Sequence, residues 1–140
     1  MENCVFCNIV AGNIPSHIIF QNDLVAVFLD INPVSSGHLL VIPKKHIEKL
    51  HDIENVEIAN ALMTTLIKMS SKLIINNVCL DYSLVQSNGK YAEQDINHVH
   101  FHIIPRYKDD GVIFKLDTHS VAALKENLAR VADLMSEKDV

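Results

Sequence analysis

"NHVHFHIIPR", residues 97–106, sets histidines at positions 98, 100 and 102 with Val99, Phe101 and Ile103 between them. Side chains two apart on a β-strand share a face, so a strand here carries three imidazoles on one side and an apolar row on the other. Neighbouring imidazoles would stand roughly 7 Å apart along that face. The apolar row faces the opposite way, where a helix can cover it. The run therefore predicts a strand that is core on one side and chemistry on the other, bounded by Pro105.

Working outward, "YSLVQ" (82–86) reads as a strand followed by a loop at Ser87, Asn88 and Gly89. Between residues 55 and 76 the spacing changes: Ala59, Leu62, Met63, Leu66, Leu73 and Ile74 recur at three, four or seven, the stripe of an amphipathic helix. Before it, "HIIFQ" (17–21), "LVAVFLD" (24–30) and "HLLVIP" (38–43) read as strands. Asn22 and Asp23 make the first turn and "NPVSSG" (32–37) a loop. A short apolar start at 5–11 is broken by Gly12, Asn13 and Pro15. Val121, Leu124, Leu128, Val131 and Met135 share one face of a last helix. Strands largely in sequence with one long helix inserted predict an α+β fold with a mostly antiparallel sheet of about five strands. No repeat or linker interrupts the 140 residues, which read as one domain, 1–140.

A net charge of −5 with no basic run longer than Lys44 and Lys45 argues against a nucleic-acid or anionic-membrane surface, but leaves room for a local phosphate pocket. "MENCVFC" lacks a secretory pattern, and no uninterrupted apolar segment approaches the roughly 18 residues that cross a bilayer. Three cysteines, an odd count, make a poor disulfide framework and point to a reducing, cytoplasmic setting.

A wetted polar strand face would explain one histidine better than three. Two chemistries compete for the row. Neutral imidazole is a common zinc ligand, and His-x-His pairs occur in catalytic metal centres. Alternatively, one imidazole attacks an electrophile while its neighbours stabilise developing charge. "CVFC" (4–7) is by itself two small thiols or half of a four-ligand zinc site, with His46 and His98 as candidate partners. If His98 binds zinc, His100 and His102 remain for chemistry. His17, His51 and His119 read as surface histidines.

"HVHFHII" (98–104), with "VFLDINP" (27–33), "GHLLVIPKKHI" (37–47), "NGK" (88–90) and "HIIPR" (102–106) in that order, resembles the histidine triad (HIT) family. The C-x-x-C start is similar to its Hint-like bacterial branch. The resemblance implies a homodimer whose sheets join across the interface. It also implies hydrolysis or transfer at the α-phosphate of a purine nucleotide conjugate, usually of AMP, without a catalytic metal. A phosphoramidate and a dinucleoside polyphosphate are both substrates of such relatives, and the sequence does not separate the two. A non-catalytic nucleotide-binding protein of the same fold is the remaining alternative. By position, His100 matches the nucleophile, and His102 and His38 its partners around the phosphate. Asp30 matches the acid that holds the ribose hydroxyls. Phe6, Ile9, Phe28 and Ile31 match the walls around the base, and Asn88 and Gln94 polar contacts to ribose or phosphate. Cys4, Cys7, His46 and His98 match the ligands of one structural zinc per subunit.

The roles agree with elementary chemistry. A nucleophilic histidine must be neutral at one ring nitrogen near pH 7, with an acceptor at the other to fix the tautomer. A carboxylate can accept two hydrogen bonds from a vicinal diol, although Asp30 at a strand end also reads as a turn cap. The chain departs from the family at Glu93, where glycine is usual, and at Asp95 and Asn97. Glu93 restricts the backbone. Asp95 brings a negative charge toward the phosphate pocket and is expected to bias the protein against highly charged polyphosphates.

Overall fold

"VAVF" (25–28) and "LLVIP" (39–43) are too apolar to have a wet face, and they form the centre of the sheet. The computed structural model describes residues 3–116 and 128–136. In it β2 (Val25–Leu29) pairs antiparallel with β3 (Leu39–Pro43), Val27 opposite Val41. Val25, Val27, Leu39 and Val41 point to one face, and Ala26, Phe28, Leu40 and Ile42 to the other. With β1 (Ile18–Gln21), β4 (Asp81–Val85) and β5 (Phe101–Arg106) the order is β1-β2-β3-β5-β4, antiparallel throughout. The fold is α+β, as the pattern predicts.

The long helix (Val56–Ile75) and the apolar start, which forms a six-residue helix (Val5–Val10), cover opposite faces; they are α2 and α1. Asn55 caps α2, its Oδ1 accepting from the amides of Glu57 and Ile58. The buried stripe of α2 is Ile58, Leu62, Leu66, Met69 and Leu73. Each such side chain contributes about 1.5–3 kcal/mol on leaving water. Ala59, Met63 and Ile74, expected in that stripe, lie beside it; Met63 is 58% exposed. By length and composition alone α2 could cross a membrane, but here its apolar stripe packs on the sheet. A last helix, α3 (Leu128–Ser136), carries Leu128, Val131 and Met135 and buries none of them. Val121, Leu124 and His119 lie outside the described residues.

The histidine run differs from the expected strand. β5 begins at Phe101, so only His102 of the three sits in the ladder, opposite Leu40 and Val85. Ahead of it the backbone bonds elsewhere: the Val99 amide donates to the Ile47 carbonyl at 2.7 Å, and the His98 carbonyl accepts from the His100 ring. The alternation of faces survives nonetheless. Val99, Phe101 and Ile103 pack into the core under α2, while Phe6 of α1 stacks edge-on against His98 and His100.

Glu93, expected to restrict the backbone, is left-handed with φ 63° and ψ 33°, closing a 3₁₀ turn at Lys90–Ala92. That conformation costs an L-residue about 1–2 kcal/mol, partly offset by the extra unfolded-state freedom of glycine. Glu93→Gly is therefore expected to stabilise the fold by up to about 1 kcal/mol. Urea denaturation, with the midpoint moving up at constant slope, is the check.

Candidate functional site

Two histidine constellations share the segment 98–102. In the first, His98 is fully buried, and its Nε2–H donates to the Pro43 carbonyl at 2.8 Å. Nδ1 is left with its lone pair, 3.4 Å from Cys4 Sγ and 3.5 Å from Cys7 Sγ. His46 Nδ1 lies 3.3 Å from Cys7 Sγ. One donor atom from each of Cys4, Cys7, His46 and His98 lies within 4.8 Å of the rest. For zinc with bonds near 2.3 Å to sulfur and 2.0 Å to nitrogen, a tetrahedral S···N edge is about 3.5 Å. The donor types and the edge lengths both fit a structural zinc ion. The Pro43 carbonyl supplies the outer hydrogen bond that fixes a ligating imidazole. Burial pushes His98 down to about 4, keeping its ring neutral.

The second constellation lines a cavity of about 430 Å³ between α1 and the sheet. His100 is 5% exposed, and its Nδ1–H donates to the His98 carbonyl at 2.7 Å. The proton on Nδ1 leaves Nε2 as a lone pair, the tautomer a nucleophile needs. His38 and His102 form a directed chain. The Val34 amide donates to His38 Nδ1 at 3.2 Å, so the His38 proton sits on Nε2 and is donated to His102 Nδ1 at 2.9 Å. His102 then presents Nε2–H as a donor, its ring centroid 5.0 Å from that of His100. Gly37, with φ +89°, sets up the approach of His38 to this chain. A Cβ there would meet Pro105 and Val78 at 3.2 Å.

Phe6, Ile9, Phe28 and Ile31 line the same cavity, and Ile31 is 76% exposed at its mouth. Asp30 does two things. Its Oδ1 accepts from the Asn32 amide at 2.9 Å, the turn cap, while Oδ2 faces His38 Nε2 at 3.7 Å. Asn88 and Gln94 are not among the cavity-lining residues. Asn88 exchanges hydrogen bonds with Gln86 and accepts from the Leu50 amide. Gln94 accepts from the Gly89 amide and donates to the carbonyls of Glu48 and Ile96. Both polar side chains build the loop that borders the site.

Among the lining residues that escaped the sequence reading, Ile96 and Ser16 stand out. Ile96 adds to the apolar wall. Ser16 Oγ is the one buried side-chain polar atom without a hydrogen-bond partner among the described residues, and a hydroxyl gives no periodic signal to find it by.

The HIT domain matches residues 11–109, and the chain belongs to the HIT family. It is 42% identical over 108 residues to an adenosine 5'-monophosphoramidase of Schizosaccharomyces pombe, covering 77% of each chain. The fold superposes on a HIT family protein from Bacillus anthracis with a TM-score of 0.86 at 32% identity, covering 96% of both chains. A zinc-bound histidine triad family protein from Mycobacterium smegmatis matches with a TM-score of 0.73 at 28% identity, over 95% of this chain and 98% of that one.

Burial, and then the fields of His100 and His38, push His102 down to about 4, against smaller pulls upward from Asp30 and Asp95. An unfolded histidine titrates near 6.5, so between about pH 6.5 and 4 the unfolded chain binds a proton here that the folded chain refuses. Stability is fully present above that window and falls on acidification through it, by at most about 1.4 kcal/mol per pH unit from this group. Chemical denaturation across the window is expected to give a shallower pH slope for His102→Asn than for the unaltered chain.

Proposed function

We propose that the protein hydrolyses purine nucleotide conjugates at the α-phosphate, in the manner of a nucleoside phosphoramidase, releasing AMP. The observation that carries this reading is the hydrogen bond from His100 Nδ1–H to the His98 carbonyl. It leaves an unprotonated Nε2 at the wall of a cavity large enough for a nucleotide. In the first step His100 Nε2 bonds to phosphorus and the P–N bond breaks, its electron pair leaving with the amine, which takes a proton from solvent. In the second, water bonds to phosphorus, the P–Nε2 bond breaks, and His100 is regenerated. His102 Nε2–H donates to a phosphate oxygen as charge develops, and His38 holds it in that tautomer. Asp30 holds the ribose hydroxyls once its Oδ1 yields the Asn32 amide. Phe6, Ile9, Phe28 and Ile31 enclose the base, and Asn88 and Gln94 support the phosphate-side loop rather than the nucleotide directly. The 42% identical yeast relative, named for adenosine 5'-monophosphoramidase activity, supports the substrate class.

Zinc, one ion per subunit, is assigned to Cys4, Cys7, His46 and His98. There it supplies cross-linking rather than acid chemistry, tying α1 to the segment that carries His100. The reading is of a cytoplasmic single-domain protein without nucleic-acid or membrane partners. The test mixes the purified protein with adenosine 5'-phosphoramidate and follows AMP release with and without chelator, beside His100→Ala. Release that vanishes in the variant, and that survives chelation as long as circular dichroism reports an intact fold, is the expected outcome. Release by His100→Ala at the unaltered rate would remove the covalent route.

The same reading takes the working unit as a homodimer joined through β4 and the outer side of α2. β4 is an edge strand with unpaired backbone groups. Beside it Met63, Ile67, Ile75 and Leu84 are each more than half exposed and line or border one apolar groove, a patch that favours a partner surface. Sedimentation equilibrium is expected to give twice the chain mass, and Ile67→Glu to shift it toward the monomer. A monomeric unaltered protein would sink the assignment.

A further inference from the structure

Among the described residues, no lysine or arginine lines the cavity that holds His38, His100 and His102. Burial holds His38 and His102 below the ordinary imidazole range, so near pH 7 they bring hydrogen-bond dipoles there rather than charge. Among the described residues, the carboxylic acids of the lining are Asp30 and Asp95. Asp95 stands nearest the reacting atom: its Oδ1 is 3.4 Å from His100 Nε2 and also accepts from the Ile96 amide at 3.0 Å. It is 74% exposed, so water screens it in part. Phosphorus must come within about 3–3.5 Å of Nε2 to be attacked. Its oxygens then come within a few ångströms of this carboxylate.

The charge at phosphorus changes during the reaction proposed above. A phosphoramidate carries one negative charge there, because nitrogen replaces an ionisable oxygen. Hydrolysis of the singly charged phosphoramidate by water gives ammonium and AMP, whose phosphate is mostly doubly charged above its second pKa near 6. Reactant and product otherwise share base, ribose and phosphorus, so the binding pocket has little else by which to tell them apart.

We propose, resting on that reading, that Asp95 is a specificity residue that sets the tolerated charge at the α-phosphate: it admits the singly charged conjugate and expels the doubly charged product. The residue thereby limits inhibition by AMP. One extra like charge about 5 Å away, in a largely aqueous dielectric, changes affinity by roughly fivefold. Salt weakens the effect, because the Debye length shrinks to a few ångströms near molar ionic strength. This differs from a bias against polyphosphates, since the species rejected is the product of the protein's own reaction.

The experiment is calorimetric titration of the full chain at pH 7.5 with AMP and, separately, with adenosine, which has the base and ribose but no phosphate. The unaltered protein, Asp95→Asn and Asp95→Glu are compared at about 0.02 M and about 0.5 M salt. The expected result is AMP binding roughly twentyfold tighter in Asp95→Asn at low salt, because each of its two phosphate charges loses a repulsion worth about four- to fivefold, with the gap closing at high salt. Adenosine should bind all three proteins alike, and Asp95→Glu should match the unaltered protein. Equal AMP affinity in Asp95→Asn and the unaltered protein would overturn the inference while leaving the nucleotide reading intact. So would tightening of AMP and adenosine together, which marks a change of pocket shape rather than of charge. Failure of the unaltered protein to bind either ligand would refute the nucleotide reading, and this inference with it.

Discussion

Residues 98–103 must satisfy two incompatible surroundings at once, and the rest of the molecule is arranged around that demand. Val99 and Ile103 need a dry interior, which α2 and the near faces of β2 and β3 supply. The histidines between them need hydrogen-bond partners, because a buried imidazole without one costs a few kcal/mol. The chain meets the second need by leaving the ladder. The His98 carbonyl, outside the ladder, serves the His100 ring, and the Pro43 carbonyl serves His98. The late start of β5 is thus the structural cost of holding two imidazoles in defined tautomers.

The two constellations are separate in their donor atoms and joined through one residue. His98 offers its ring to the cysteines and its carbonyl to His100. The short helix α1 is joined in the same way, with Cys4 and Cys7 at the four-ligand cluster and Phe6 and Ile9 at the cavity wall. A six-residue helix has no stability of its own. Its place depends on Phe6 packing on Phe28 and the histidine rings, and on whatever holds its thiols together.

Much of this was legible in the sequence because period and composition report burial directly. The apolar runs at 24–30 and 38–43 announced strands, and the structure covers the centre of both on two faces. The alternation at 98–103 announced which side chains face the core, and the C-x-x-C announced its histidine partners. The helix α1 was not legible, because six residues are too few to establish a 3.6-residue period. The true stripe of α2 was blurred by Ala59, Met63 and Ile74, apolar residues that the fold leaves beside the core. Asn88 and Gln94 show the other limit: an amide that could reach a ligand can equally hold a loop, and only the positions of carbonyls and amides distant in sequence decide which. The geometry of Asp95 depended in the same way on how the 3₁₀ turn before it closes.

The chain of donors from Val34 through His38 to His102 begins at a peptide N–H, and this gives the pocket an unusual kind of robustness. The polarity of the terminal imidazole is written by the main chain of the loop after β2. A change of side chain at position 34, proline excepted, leaves that amide in place, so the wall of the pocket can be reshaped there while the hydrogen at the far end keeps its address.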